Sequence, residues 1–149
     1  MKGDIAKFKE KKFNHPSFCL VIPMYNEEKN VNDCVKSICK FLNKLENRCE
    51  LLVVDDGSND NTLKKLIKLK EIHNNLNIEV HKLNMGYGVA NRTGSAYAYS
   101  ADYKYVLYMD SDLTQDTKYI HDFLSFMNKD IDLIKATRYS PGGGTNGVK

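Results

Sequence analysis

No stretch of this 149-residue sequence is apolar for long enough to cross a bilayer: the longest run, Phe18 to Met24, falls far short of the roughly 20 residues a spanning helix needs. The first residues carry lysines where a secretory signal would have its apolar core, so no such signal is expected in this segment. The expected setting is the cytoplasm or the cytoplasmic face of a membrane. The lysine-rich start, Lys2 to Lys12, fits a solvated end better than a peripheral contact with anionic lipid. Cys19, Cys34, Cys39 and Cys49 have neither CxxC spacing nor the density of a secreted scaffold, so buried thiols in a reducing compartment are expected. His15, His73, His81 and His121 have no metal-ligand spacing and receive no role. A net charge of +3 decides little, and no nucleic-acid partner is expected. Prolines number only three, and no linker appears before Pro141-Gly142-Gly143-Gly144.

What is present is the composition of a globular domain, 42% hydrophobic and 28% charged, at a length that suits one core. Phe18 to Ile22 reads as a strand buried on both faces and closed by Pro23. A helix follows, capped by Asn26 and carrying Val31, Cys34, Val35, Ile38, Phe41, Leu42 and Leu45 at spacings of three and four. Leu51 to Val54 predicts the second strand, followed by a helix with Leu63, Leu66 and Ile67. Ile78 to Leu83 predicts the third, before a helix whose Ala90, Gly94, Ala98 and Ala101 permit close packing. Tyr105 to Met109 predicts the fourth strand, then a helix with Ile120, Phe123, Leu124 and Met127, and Asp132 to Ala136 a fifth strand. The order βαβαβαβαβ predicts an α/β, Rossmann-like fold, a mainly parallel sheet flanked by helices.

In such a sheet the ligand crevice lies beyond the carboxyl ends of the strands. Those ends here carry Pro23 to Glu27, Asp55-Asp56-Gly57-Ser58, Asn84-Met85-Gly86, Asp110-Ser111-Asp112 and Arg138-Tyr139. Asp110 and Asp112 flank a small residue, so both carboxylates can meet at one divalent cation, Mg2+ or Mn2+, with a diphosphate completing its shell. The same pair fits a helix cap beside an exposed side chain, and Asp-x-Asp alone does not separate the two. Asp55 and Asp56 can accept hydrogen bonds from a nucleobase, Tyr25 can stack on it, and Glu27 can reach ribose hydroxyls; a tight turn with an Asx bond also accounts for Asp56-Gly57-Ser58 and a favourable helix-start charge for Glu27, and both are compatible with the functional roles. Gly86 lets backbone approach a ligand.

Five segments in order, FCLVIPMYNEE, LLVVDDGSNDNT, NMGYG, YVLYMDSDLTQD and TRYSPGGG, resemble the landmarks of family-2 glycosyltransferases with the GT-A fold. The last of them is most similar to the branch that moves a sugar onto a polyprenyl phosphate, as in dolichol-phosphate mannosyltransferases. The resemblance implies an inverting glycosyltransferase with a GDP- or UDP-sugar donor and a polyprenyl-phosphate or glycan acceptor. It places Pro23, Tyr25, Asn26, Glu27, Asp55, Asp56, Gly86, Asp110 and Ser111 at the nucleotide, Asp110 and Asp112 on the metal, and Asp112 and Arg138 in catalysis. A glutamine often stands two places after the second aspartate in that branch, whereas here Thr114 holds that place and Gln115 follows, which leaves the third metal ligand open between them.

The expected organisation is a basic extension over residues 1–17 and a nucleotide-sugar-binding domain over 18–149, with the acceptor half lying beyond Lys149. Such a piece would bind donor with little or no turnover. A rival reading takes Asp110-Ser111-Asp112-Leu113-Thr114 as the DxDxT motif of haloacid-dehalogenase-like phosphatases, with Asp110 as nucleophile. That motif normally ends the first strand of its fold, whereas here it ends the fourth predicted one.

Overall fold

In the computed structural model of the chain, the described residues are 16–112, 117–127, 129 and 131–136. The apolar runs become adjacent parallel strands, β1 (Phe18–Met24) and β2 (Cys49–Asp55), with the core of each fully buried. They pair from Phe18 opposite Cys49 to Met24 opposite Asp55. β1 therefore runs through Pro23 and does not close at Ile22. The Val21 carbonyl accepts from the Met109 N–H at 3.2 Å and the Met24 carbonyl from the Asp56 N–H at 2.8 Å, so odd positions of β1 face Met109 and even ones face β2. On the odd side lies β4 (Tyr105–Tyr108), whose last paired residue, Tyr108, stands opposite Val21. Pro23 turns its missing N–H past that point, and no ladder bond is lost.

β3 (Leu76–Val80) pairs with β2 and completes a four-stranded parallel sheet in the order β3-β2-β1-β4. It starts earlier than the apolar run suggests and stops at Val80, opposite Asp55, leaving Leu83 exposed. The predicted fifth strand is not formed: residues 131–136 contain no strand among the described residues. A strand there would put Leu133 and Ile134 on opposite faces and need cover for both, yet Leu133 is 84% exposed.

Helix α1 (Val31–Leu42) buries Val31, Cys34, Val35, Ile38 and Leu42, the predicted stripe. Its cap is Asn30, not Asn26, and Leu45 lies beyond its end. Helix α2 (Thr62–Ile72) buries Leu66 and Leu69 and leaves Ile67 exposed, so its inward face is rotated from the predicted one. Before it, the Asp60 carboxylate accepts the Thr62 N–H at 2.9 Å and the Glu28 N–H at 3.1 Å, joining the two loops that follow β1 and β2. Helix α3 (Tyr87–Ser100) lays Ala90 and Ala98 against Cys19, Val21, Leu52 and Val54. Gly94 lies on the same face, where a Cβ would overlap the Val21 side chain, so the run of small residues sets how closely this helix meets the sheet.

Residues to Thr117 form one compact unit and those from Lys118 another. In the second, α4 (Lys118–Phe126) carries buried Ile120, with half-buried Phe123 and Leu124. Among the described residues no helix is long and apolar enough to cross a membrane.

Candidate functional site

The chain builds the sheet outward from β1 to β2 to β3, then returns through α3 to place β4 on the other side of β1. Strand order thus reverses between β1 and β4, and ligands of open α/β sheets bind beyond the carboxyl ends at such a point. A cleft of about 460 Å3 opens there. Pro23, Tyr25 and Glu27 line it from the end of β1, Asp56 from β2, and Asp110, Ser111 and Asp112 from β4. Asn84, Gly86 and Tyr87 complete the lining where α3 begins.

Buried Ser111 separates two exposed aspartates, so the short turn after β4 presents Asp110 and Asp112 to the same cleft. The Tyr87 hydroxyl donates to Asp110 Oδ1 at 3.2 Å. Burial, with the neighbouring Asp110 charge, pushes the Tyr87 hydroxyl above its usual pKa and keeps it a donor. Among the described residues no three His, Cys, Asp or Glu side chains converge as a complete metal cage. Two carboxylates open to a cleft instead suit a hard cation that takes its other ligands from substrate phosphates, the usual manner of Mg2+. The residues present therefore fit the Mg2+ or Mn2+ that the motif implies, as a shared site.

The second acidic pair is divided by the fold. Asp55 is 1% exposed and accepts from the Ser58 hydroxyl; burial pushes its carboxyl pKa up. The Ser58 oxygen also accepts the Asn26 N–H at 3.0 Å, and Asn26 Oδ1 accepts the Asn59 N–H at 2.8 Å, which holds Asn26 at φ +56°. Asn26 and Asp55 thus tie the β1 and β2 loops together and do not line the cleft. Tyr25 stands exposed at the rim, and Glu27 keeps one oxygen on the Asn30 side-chain amide at 2.8 Å.

Asp56 does line the cleft. Burial opposes its ionisation, but bonds from His81 and from the Met85 and Gly86 N–H groups outweigh that and hold its carboxyl below the usual range. A carboxylate with a lowered folded pKa contributes stability above its unfolded pKa and loses it as pH falls through the folded value. Comparing urea midpoints of the wild type and Asp56→Asn should therefore show a full gap above pH 5, closing as pH drops below about 4. A gap that widened in acid would contradict the ionised Asp56.

Of the predicted residues, Pro23, Tyr25, Glu27, Asp56, Gly86, Asp110, Ser111 and Asp112 meet at one cleft. Arg138, Thr114 and Gln115 lie outside the described residues. Sequence reasoning placed Asn84 at a strand end without a role of its own, gave His81 no role, and did not single out Tyr87. His81 was hidden by the strand boundary: with β3 ending at Val80, it is the first residue beyond a carboxyl end, where site residues gather.

Residues 19–149 match the model of the family described as Glycosyl transferase family 2. An uncharacterized glycosyltransferase of Synechocystis sp. is 33% identical over 126 residues, 85% of this chain and 39% of its own length. The undecaprenyl-phosphate 4-deoxy-4-formamido-L-arabinose transferase of Proteus mirabilis is 31% identical over 80% of this chain and 36% of its own length. The chain thus spans less than two fifths of these curated relatives. Among solved structures, S. aureus TarS superposes with a TM-score of 0.60 at 28% identity, covering 75% of this chain and 32% of that one. The mannosyltransferase PcManGT from Pyrobaculum calidifontis, solved with GDP-Man and Mn2+, shares the fold with a TM-score of 0.55 at 22% identity, covering 66% and 28%. With nearly its whole length matched by the family model and its strand ends gathered at one switch-point cleft, this chain belongs to glycosyl transferase family 2.

Proposed function

We propose that the cleft holds the nucleotide diphosphate of a sugar donor, and that the protein transfers the sugar with inversion to an acceptor, a polyprenyl phosphate. One observation carries the donor reading: residues from the ends of β1, β2 and β4, together with the start of α3, meet around a single cleft. Tyr25 stacks on the base, Glu27 takes the ribose, Asp56 accepts from the base edge, and Asp110 and Asp112 face the diphosphate. A Mg2+ or Mn2+ held by Asp110 and Asp112 would neutralise leaving-group charge. Arg138, the proposed catalytic arginine, supplies a guanidinium for phosphate oxygens.

An acceptor phosphate is already anionic and needs no general base. The polyprenyl-phosphate acceptor is supported by the Proteus mirabilis relative, whose name makes it an undecaprenyl-phosphate transferase. A cytoplasmic setting, and domain 18–149 as the donor-binding portion, are part of the same proposal. Because the chain covers less than two fifths of its curated relatives, we propose that residues 1–149 alone bind donor and transfer little. Calorimetric titration with UDP-glucose and GDP-mannose in Mn2+ tests the donor site. Saturable binding of at least one, lost in Asp110→Ala, is expected; no binding of either overturns the reading.

A further inference from the structure

The Asp56 carboxylate enters the cleft with most of its hydrogen-bonding capacity already used. Oδ1 accepts from His81 Nδ1 at 2.6 Å and from the Met85 N–H at 3.0 Å, while Oδ2 accepts from the Gly86 N–H at 2.8 Å. A carboxylate offers about four acceptor positions, so one remains, on Oδ2. The His81 ring is fixed at its other end, where Nε2 lies 2.8 Å from Thr93 Oγ1. An ionised carboxylate only accepts, so Nδ1 is the protonated nitrogen and cannot give the oxygen back. Asp55, the neighbouring carboxylate, is buried on Ser58 and supplies no second acceptor. On the same wall Asn84 Oδ1 accepts the Gly86 N–H at 3.0 Å, which leaves the amide NH2 of Asn84 as the group offered to a ligand.

This wall therefore presents one acceptor and one donor. Resting on the donor-site reading above, we infer that the cleft selects a uracil-type base over guanine, and that His81 is the positioning residue that enforces the choice. Uracil shows a single N–H between two carbonyls: the N–H meets the remaining Oδ2 position, and a carbonyl meets the Asn84 NH2. Guanine shows two adjacent donors, its ring N–H and its amine, which a carboxylate satisfies together only when both oxygens are available. Here the second donor meets an oxygen filled by His81 and Met85, and it is left unpaired in the site.

Calorimetric titration of the chain with UDP and with GDP, both in Mn2+, tests this. UDP is expected to bind about tenfold tighter or more, the factor that one unpaired donor in a desolvated site costs. His81→Phe removes the Nδ1 donor, frees Oδ1 and should shrink the UDP preference to within about threefold, and His81→Asn, whose amide can donate in its place, should restore it. GDP binding as tightly as UDP to the wild type overturns the base choice while leaving the donor site intact. Failure of both nucleotides to bind overturns the donor site itself. A full UDP preference in folded His81→Phe removes His81 from the explanation, and if that variant does not fold, a preference lost in His81→Asn does the same.

Discussion

Chelating divalent metal should weaken nucleotide-diphosphate binding by at least tenfold, and Asp112→Asn should produce a similar loss in the presence of Mn2+. Asp110 and Asp112 line the cleft that the diphosphate is proposed to enter, and without a cation like charges would meet at close range. A pair of unit charges about 5 Å apart repels by roughly 3 kcal/mol at an effective dielectric constant near 20. Both aspartates are solvent-exposed, so screening trims that to about 1–2 kcal/mol per pair, still a factor of ten or so. Asp112→Asn nearly preserves shape while removing one charged oxygen ligand. Equal affinities in Mn2+ and in EDTA would take the metal out of the site.

Gly57→Ala should destabilise the fold by about 2–5 kcal/mol, the sum of left-handed backbone strain and overpacking. Gly57 turns the chain after β2 at φ +73°, and a Cβ there would stand 2.5 Å from the Leu83 carbonyl carbon and 2.7 Å from the Asn84 nitrogen. Both are backbone atoms, which cannot swing aside as a flexible side chain does. The strain also reaches the cleft, because Leu83 and Asn84 lead directly to the Met85 and Gly86 N–H groups that hold Asp56. Gly88→Ala is the control: it lies within α3 with nothing near its Cβ position, and alanine there should be neutral or stabilising by up to about 1 kcal/mol. Urea midpoints for the two variants should move in different directions or by clearly different amounts. A small change at Gly57 would mean that the loop after β3 yields easily.

The alternation of buried strands and amphipathic helices was plain in the sequence because each parallel strand is an unbroken apolar run, and Phe18 to Ile22 and Leu51 to Val54 have no other simple reading. Edges were harder. Pro23 looked like a terminator, yet it sits where no ladder donor is needed; Asn26 looked like a cap, yet its side chain and N–H are spent bridging to Ser58 and Asn59. β3 is half-exposed and lacks a long apolar run, so its register followed Leu83 when pairing with β2 had fixed it at Val80. For the site, the acidic motifs announced themselves by position after strands. Nothing in Asp55-Asp56 says which carboxylate lines the cleft, because that depends on Ser58 capturing one and on His81, Met85 and Gly86 capturing the other. The contacts that capture Asp56 cross 25 to 30 residues of chain and leave no local pattern.

Nuclear magnetic resonance of the labelled chain with Mn2+ and UDP locates the bound metal–nucleotide unit without relying on turnover. Paramagnetic broadening centred on the amides of residues 110–112, extending to Tyr25 to Glu27 and to Gly86 and Tyr87, and sparing Cys49 and Glu50 at the opposite end of β2, is the predicted pattern. Broadening centred on any other part of the chain, or the same pattern from Asp110→Ala/Asp112→Ala protein, would contradict a donor site at the β1–β4 switch point.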